Sequence, residues 1–233
     1  ISGSGATGNV IQGNYIGTNF TGTVAVGNSA QGINIGSGAN TTTIGGTASG
    51  AGNLISGNSG ATSRGIFVAS ATDTTIQGNL IGADVTGTLD LGNFLAGIDL
   101  NTGANNSTVG GTTAGAMNVI SGNADGIDVH GTGNVIQGNL IGTNAAGTGA
   151  VGNTNHGIWI AGGATNTIGG TAPGAGNLIS GNGSIGVRMT GTASGNLVQG
   201  NFIGTNLAGT GAVGNSLGVS LESTVTNNTI GGT

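Results

Sequence analysis

The hydrophobic positions of this chain alternate with polar or variable ones in short runs that recur about every 30 residues. Each run has the form Gly-apolar-x-apolar, and seven of them occur, at 32–35, 65–68, 97–100, 126–129, 157–160, 186–189 and 218–221. Alternation with a period of two is typical of a half-buried strand. The intervening Gly, Thr, Asn and β-branched residues disfavour helix. We therefore predict a short strand at each run, called the first strand of its repeat.

Two shorter strands are predicted to follow in every repeat. The second reads Thr43-Ile44-Gly45 in one kind of repeat and Thr75-Ile76-Gln77 in the other, and the third is an apolar pair such as Leu54-Ile55. The two kinds alternate along the chain. One inserts a loop between its second and third strands (47–52), whereas the other has a long loop after its third strand (144–153). Three strands and alternating loop lengths therefore define each unit of about 30 residues.

Units of this size bury their apolar faces only by stacking on their neighbours, as in solenoid proteins. Equivalent strands of successive coils would then pair in parallel, about 4.8 Å apart. The pattern predicts an all-β, right-handed, single-stranded parallel β-helix of about seven and a half coils and roughly 35 Å in length. Residues 1–233 form a single domain on this interpretation, and we expect the chain to be a segment of a longer repeat array.

A row of asparagines supports a wound coil. One asparagine precedes the third strand in each of seven coils, at Asn14, Asn53, Asn79, Asn118, Asn139, Asn177 and Asn201. Asparagine tolerates left-handed turn geometry, and its amide can bond to the neighbouring coil. Since the row keeps its place despite different loop lengths, we predict a continuous amide ladder, as in stacked parallel sheets.

The sequence resembles the right-handed parallel β-helix repeats of the pectin-lyase-like superfamily. The blocks Ile-Gln-Gly-Asn-x-Ile-Gly-Thr and Ile-Gly-Gly-Thr carry this resemblance over essentially the whole chain. It is most similar to the glycine- and asparagine-rich arrays of large bacterial secreted and surface proteins. The resemblance implies a fold, but it does not decide activity, because the superfamily includes lyases, hydrolases, epimerases and adhesins without known catalysis.

The composition excludes several functions. Only 4% of residues are charged, there is no lysine, and the net charge is −5. A chain with two arginines has no basic patch for nucleic acid or for anionic membranes. It has no cysteine, and no apolar run approaches the roughly 18 residues of a membrane-spanning helix. We expect an extracellular or cell-surface bacterial protein without direct membrane insertion.

The few charges concentrate on the outward side of the first strands. The successive outward residues are Asn34, Phe67, Asp99, Asp128, Trp159, Arg188 and Ser220, and His130 lies two positions beyond Asp128. Both histidines, both arginines, the tryptophan and four acids lie on or beside this face. We take Asp99, Asp128, His130, Trp159 and Arg188 as candidate ligand-binding residues for a surface or extracellular polysaccharide, with Trp159 as a stacking platform.

Catalysis on this face is the alternative interpretation. Asp99 and Asp128 would lie about 5 Å apart, a separation that suits a retaining glycosidase pair. With Asp125, His130 and Arg188 they are the candidate catalytic residues. The resemblance to polysaccharide lyases implies a calcium-binding acidic cluster beside a basic residue, and we expect only Arg188 near the two aspartates. Because outward positions also collect charges by default, whether the protein is an enzyme stays open, and we favour a negative answer.

Two further features concern metals and assembly. No cofactor is expected. Calcium binding is possible only at the loop with Asp84 and Asp90, where we favour ordinary turns closed by glycine. An apolar row on the third strands (Tyr15, Leu54, Leu80, Val119, Leu140, Leu178 and Phe202) predicts cover by the long loops or lateral association. The unpaired edges of the end coils would allow end-to-end association.

Together these features favour a rigid extracellular module, a stalk or adhesin-like segment of a bacterial protein. A carbohydrate-binding or polysaccharide-degrading module that uses the first-strand face is the second hypothesis.

Overall fold

A computed structural model describes residues 1–232 and shows a parallel β-solenoid of about seven coils with three sheets. Each sheet contains one strand from every coil, and all strand pairs within the sheets are parallel. The predicted all-β fold, the three strands per coil and their order are confirmed. Helix in the described chain is confined to one 3-10 turn at Ala114–Ala116, and none of its helices could cross a membrane.

The strands agree with the predicted runs. The first-strand sheet contains β3 (Ile33–Gly36), β6 (Ile66–Ala69), β9 (Ala96–Leu100), β12 (Asp125–Val129), β15 (Ile158–Ala161), β18 (Ile185–Thr190) and β21 (Leu217–Leu221). The second-strand sheet contains β1 (Val10–Ile11), β4 (Thr43–Gly45), β7 (Thr75–Gln77), β10 (Thr108–Gly110), β13 (Val135–Gln137), β16 (Thr167–Gly169), β19 (Leu197–Gln199) and β22 (Thr229–Ile230). The third-strand sheet contains β2 (Tyr15–Ile16), β5 (Leu54–Ile55), β8 (Leu80–Ile81), β11 (Val119–Ile120), β14 (Leu140–Ile141), β17 (Leu178–Ile179) and β20 (Phe202–Ile203).

The core is a set of stacked aliphatic columns enclosed by the three sheets. In the middle coil, Ile127 and Val129 from the first strand, Ile136 from the second and Ile141 from the third are all fully buried. The strand register places each of these on its equivalent in the next coil, for example Ile127 on Ile158. Burial of aliphatic side chains in every coil stabilises the stack by the hydrophobic effect. It also fixes which positions of the first strand point outward.

The predicted asparagine ladder is confirmed. From Asn14 to Asn177, the backbone N–H and the Nδ2 group of each asparagine both donate to Oδ1 of the next, at 2.9–3.3 Å. The side chains also donate to main-chain carbonyls, as Asn118 does to Ile76. From Asn53 to Asn177 these amides are buried and satisfied, and each ties its coil to its neighbours.

Two further ladders were missed by sequence reasoning. One follows the third strand through Asn28, Asn58, Asn93, Asn123, Asn153, Asn182 and Asn215. The other precedes the second strand through Asn134, Asn166, Asn196 and Asn228. The ladder from Asn28 to Asn215 could have been recognised in the sequence, because each of its seven members follows a glycine. Its members alternate between the end of a short turn and the end of a long loop, which obscures their equivalence.

The alternation of Gln and Gly after the second strand has a steric cause. Gly45 adopts φ of +81°, and a Cβ there would lie 1.9 Å from the carbonyl oxygen of Gln77 in the next coil. The side chain of Gln77 in turn donates through Nε2 to the carbonyl of Gly110. The equivalent glycines Gly110 and Gly169 would meet the next coil's carbonyl in the same way, so glycine is required at this position in every second coil.

The apolar row of the third strands is covered in the middle of the solenoid. Val119, Leu140 and Leu178 form a buried cluster, against which Met117 and Ala145 pack. Ala145 belongs to the long loop 144–153, so this loop contributes to the cover as expected. The larger loop side chains of Val24, Val26 and Leu89 do not contribute in this way, since they are more than half exposed. Tyr15 and Phe202 at the two ends of the row remain about half exposed.

Candidate functional site

The strand register aligns the outward residues of the first strands as the sequence predicted. Phe67 pairs with Asp99, Asp99 with Asp128, Asp128 with Trp159, and Trp159 with Arg188. Four of the five candidate ligand-binding residues thus lie in consecutive coils. The fifth, His130, follows the end of β12 and places its ring against Trp159. We call this surface the first-strand face.

Asp99 is held by Arg64, which the sequence analysis placed beside this face but not next to the aspartates. Arg64 precedes β6, and its Nε donates to Oδ2 of Asp99 at 2.6 Å. The same guanidinium lies over the ring of Phe67, 5.1 Å from its centroid. Asp99 is only 1% exposed. The expectation that only Arg188 lies near the two aspartates is therefore wrong, because Arg64 reaches forward by one coil.

Asp128 is buried without a matching cation beside it. The residue is 9% exposed, and its Oδ1 has no hydrogen-bond partner among residues 1–232. Burial, followed by the neighbouring carboxylates of Asp125 and Asp99, raises the pKa of Asp128 to about 8, against a smaller opposing effect of Arg64. At neutral pH this side chain is therefore mainly a neutral carboxylic acid, which can donate as well as accept a hydrogen bond.

Trp159 lies between two imidazole rings. The centroids of His130 and His156 are each 6.3 Å from that of Trp159, and both rings meet it edge-on. Its indole N–H donates to the hydroxyl of Thr190 at 2.9 Å. The ring is half-buried, and the guanidinium of Arg188 lies 5.7 Å from its centroid. His156 was grouped with this face in the sequence, and the structure adds it to the candidate site.

Arg188 is paired with the last acid of the face. Its Nε and Nη2 donate to the two carboxylate oxygens of Glu222, at 3.1 and 2.7 Å. This pairing raises the pKa of Arg188 and lowers that of Glu222. Nη1 of Arg188 lies 3.3 Å from Nε2 of His156. Since arginine only donates, Nε2 of this imidazole is the acceptor and Nδ1 carries its hydrogen.

His156 therefore has an unused donor. Its Nδ1 is buried and has no partner in the described part of the chain. Burial lowers the pKa of His156, an effect that the carboxylate of Asp125 opposes and Arg188 reinforces. Asp125 also accepts the backbone N–H of His156 at 3.0 Å. Neutral His156 with the Nδ1–H tautomer thus fits both its neighbours and its burial.

The proposed catalytic pair has the right register but poor access. A retaining glycosidase needs one carboxylate that attacks the sugar and another that protonates the leaving oxygen. Asp99 is buried under Arg64, and Asp128 is covered as well. Asp128 has the raised pKa of a general acid, but Asp99 would have to leave its ion pair to act as a nucleophile. The geometry therefore supports binding on this face better than covalent chemistry.

The loop with Asp84 and Asp90 is built as a turn. Oδ1 of Asp84 accepts the backbone N–H groups of Thr88 and Leu89, both at 2.9 Å, and the hydroxyl of Thr86. Burial alone would raise the pKa of Asp84, but these hydrogen bonds lower it below its ordinary value. Asp90 accepts the N–H of Gly92. Within residues 1–232, no group of three or more His, Asp or Glu side chains could hold a metal ion.

A groove of about 800 Å³ lies on another side of the solenoid, along the third strands. Its apolar lining includes Met117, Leu140, Leu178, Phe202 and Leu207, with glycine-rich loop backbone beside them. None of its lining residues is charged. We therefore place the candidate site on the first-strand face, where the titratable side chains meet.

Comparison with known proteins supports the fold and leaves the activity open. A periplasmic alginate epimerase, AlgG, superposes with a TM-score of 0.53 over 97% of this chain, at 16% sequence identity. Two variants of the same enzyme match with TM-scores of 0.49 and 0.38. The chain thus shares a parallel β-helix fold with this enzyme. It spans 45% of the length of that epimerase. No family model matches the sequence, and no curated protein matches it either.

Proposed function

We propose that this chain is a rigid β-helix module of a secreted bacterial protein, serving as a stalk or adhesin-like segment. The observation that carries the proposal is the long asparagine ladder, which links the third-strand corner from Asn14 to Asn201. The ladder from Asn28 to Asn215 and the ladder from Asn134 to Asn228 support the other corners of the coils. Bending the rod between any two coils would break several buried amide bonds at once, and the freed polar groups would have no water to replace their partners.

The remaining features agree with a mechanical role. Repeated parallel pairing and fully buried aliphatic columns connect each coil with its neighbours. A structural neighbour with this fold is a periplasmic protein, which is compatible with export from the cytoplasm. The low charge of the chain gives it little capacity for electrostatic recruitment of nucleic acid or membranes.

Single-molecule energy transfer tests rigidity directly. The chain has no cysteine, so Thr21→Cys and Ala208→Cys would give two unique labelling sites in exposed, equivalent long loops. These loops are six coils apart, roughly 29 Å along the axis. We expect one narrow distance distribution that is unchanged in moderate denaturant until global unfolding. A broad or gradually shifting distribution in the native protein would contradict the rod.

A second candidate function is glycan recognition on the first-strand face. Trp159, flanked by two imidazoles and an arginine, is the observation that favours it. Aromatic rings with adjacent polar groups provide apolar contact area and hydrogen bonds together. The neighbour AlgG is an alginate epimerase, so the fold is compatible with a polysaccharide ligand.

Affinity electrophoresis against a panel of soluble polysaccharides tests this second function. We expect retardation by at least one glycan that Trp159→Ala weakens about tenfold or more. Phe20→Ala is the matched control, since Phe20 is 91% exposed on a loop away from the face. Equal binding by Trp159→Ala and wild type would exclude this face. Release of new sugar ends, abolished in Asp99→Asn/Asp128→Asn, would instead show an enzyme.

A further inference from the structure

The first-strand face has almost no cationic capacity left for an anionic ligand. Arg64 is paired with the buried Asp99, and Arg188 is paired through two nitrogens with Glu222. These two are the only arginines, and the sequence has no lysine. Asp125 remains as an additional carboxylate beside them. A uronate or sulfated polymer would thus meet paired cations and excess negative charge, which disfavours its binding.

The same face has two buried polar atoms without partners. Oδ1 of Asp128 and the Nδ1–H of His156 are both unpaired in the described chain, and both residues adjoin Trp159. Native proteins rarely leave such atoms unpaired. Sugar hydroxyl groups both donate and accept hydrogen bonds, so they complement an acid and an imidazole N–H without requiring any charge.

We propose that the first-strand face binds a neutral glycan, with Asp128 and His156 as the residues that receive its hydroxyl groups beside Trp159. This inference rests on the proposed glycan-recognition function. Since Asp128 is 9% exposed and its Oδ1 is buried, the ligand reaches this atom only if a neighbouring side chain moves. Acidic sugars are disfavoured there, because their carboxylates would lie near Asp99 and Asp125 with no free cation to compensate.

The charge state of Asp128 supports this role. The titratable and charged groups that face it are Asp99 with its partner Arg64 on one side, Asp125 on its own strand, His130 just after that strand, and His156 with Arg188 on the other side. Four of the six groups are basic, but both arginines are already engaged. With its pKa near 8, the Asp128 carboxyl is neutral at physiological pH and can donate to a sugar oxygen. Ionisation above pH 8 would remove that donor.

The experiment compares two neutral polymers, laminarin and galactomannan, with two acidic ones, alginate and polygalacturonate, by affinity electrophoresis and calorimetry. We expect binding of a neutral polymer at least about tenfold tighter than that of either acidic polymer. Asp128→Asn, which remains neutral and keeps a donor, should bind like wild type at pH 6. Asp128→Leu should lose about tenfold or more. Phe20→Ala again serves as the unaffected control.

The pH dependence gives a second measurement. Wild-type affinity should fall by about tenfold per pH unit above pH 8, because only the protonated acid binds, whereas Asp128→Asn should show no such fall. Preference for alginate or polygalacturonate, or binding that Asp128→Leu leaves intact, would overturn the neutral-glycan inference and leave glycan recognition standing. If the folded protein bound none of the four polymers, both the neutral-glycan inference and the proposed glycan recognition would be overturned.

Discussion

Two regions of this molecule bury polar side chains, and they do so in opposite ways. In the two seven-membered ladders, asparagine recurs in every coil, and each internal amide has partners on both sides, as Asn118 does. On the first-strand face, the residue type changes in every coil, and Oδ1 of Asp128 and Nδ1 of His156 are unpaired within residues 1–232. Both regions bury polar side chains. The ladder amides have hydrogen-bond partners, whereas these two atoms of the face do not within the described chain.

The difference separates residues that hold the coil together from residues available for recognition. A repeated and satisfied polar group stabilises each coil in the same way, so its identity cannot vary. An irregular and unsatisfied group destabilises the fold on its own. The asparagines therefore hold the coils together, whereas the unpaired atoms of Asp128 and His156 are what the proposed glycan recognition would use. Five further buried polar atoms without partners lie elsewhere in the described chain.

Truncation within a ladder tests the structural half of the comparison and should have the largest effect. Asn118→Ala would leave the backbone N–H of Asn79 unpaired, and it would remove one hydrogen bond each from Nδ2 of Asn79, the carbonyl of Ile76 and Oδ1 of Asn139. At about 1–3 kcal/mol for the unsatisfied buried group and about 1 kcal/mol for each further lost bond, with partial relaxation, we expect a loss of about 4 kcal/mol in the free energy of unfolding. Denaturant titration followed by circular dichroism measures it.

The matched control is Asn144→Ala, which removes the same amide from an exposed loop turn. There Oδ1 accepts the N–H of Thr148 near solvent, so the loss should be about 1 kcal/mol. Equal effects of the two truncations would mean that the ladder does not hold the coils together.

The two arginines sharpen the comparison within the face itself. Arg64→Ala would leave Asp99 as a buried carboxylate without its cation, which we expect to cost about 3 kcal/mol of stability. Arg188→Ala exposes Glu222 to solvent and should change stability far less. Thermal denaturation of both variants measures the difference. If Arg188→Ala were the more destabilising variant, Arg188 and not Arg64 would have the structural role.

The repeat predicted most of the fold because the same spacing rule acts in every coil. Alternating Ile and Val positions, together with Asn14 and its equivalents, determined the strands, their parallel register and one ladder. The corners at Asn123 and Asn166 were missed because loops of different length hide their equivalence. The contacts on the first-strand face were harder to predict, because Arg64 contacts Asp99 through a side chain that crosses to the next coil. Burial of Asp128 likewise is not given by strand register alone, because an outward position is ordinarily exposed.

The titration of Asp128 tests whether the face stores unfavourable free energy. Its pKa is raised from 3.8 to about 8, so between these values the folded state holds a proton that the unfolded state has lost. Stability contributed by this group is therefore complete below about pH 4 and falls by about 1.4 kcal/mol per pH unit up to about pH 8.

Asp128→Asn should remove this fall, so the variant should gain on wild type by about 3 kcal/mol between pH 5 and pH 7. Chemical denaturation at several pH values measures the two curves. Comparing the curves cancels the opposite contributions of Asp84, Glu222 and His156, whose folded-state pKa values are lowered. Parallel curves would show that Asp128 ionises normally, and that the face resembles an ordinary solvated surface.

The smallest expected effect concerns Asp84, which lies outside both regions. Its carboxylate closes a loop turn by accepting backbone N–H groups. Its carboxylate accepts the N–H groups of Thr88 and Leu89, as the amide oxygen of Asn144 does for Thr148 in the equivalent loop. Asp84→Asn should therefore change stability by less than about 0.5 kcal/mol, whereas Asp84→Ala should cost about 1–2 kcal/mol. Melting with and without millimolar calcium completes the test, and we expect no shift because the turn already uses these oxygens. A calcium-dependent rise in melting temperature, lost in Asp84→Asn, would make this loop a metal site instead of a turn.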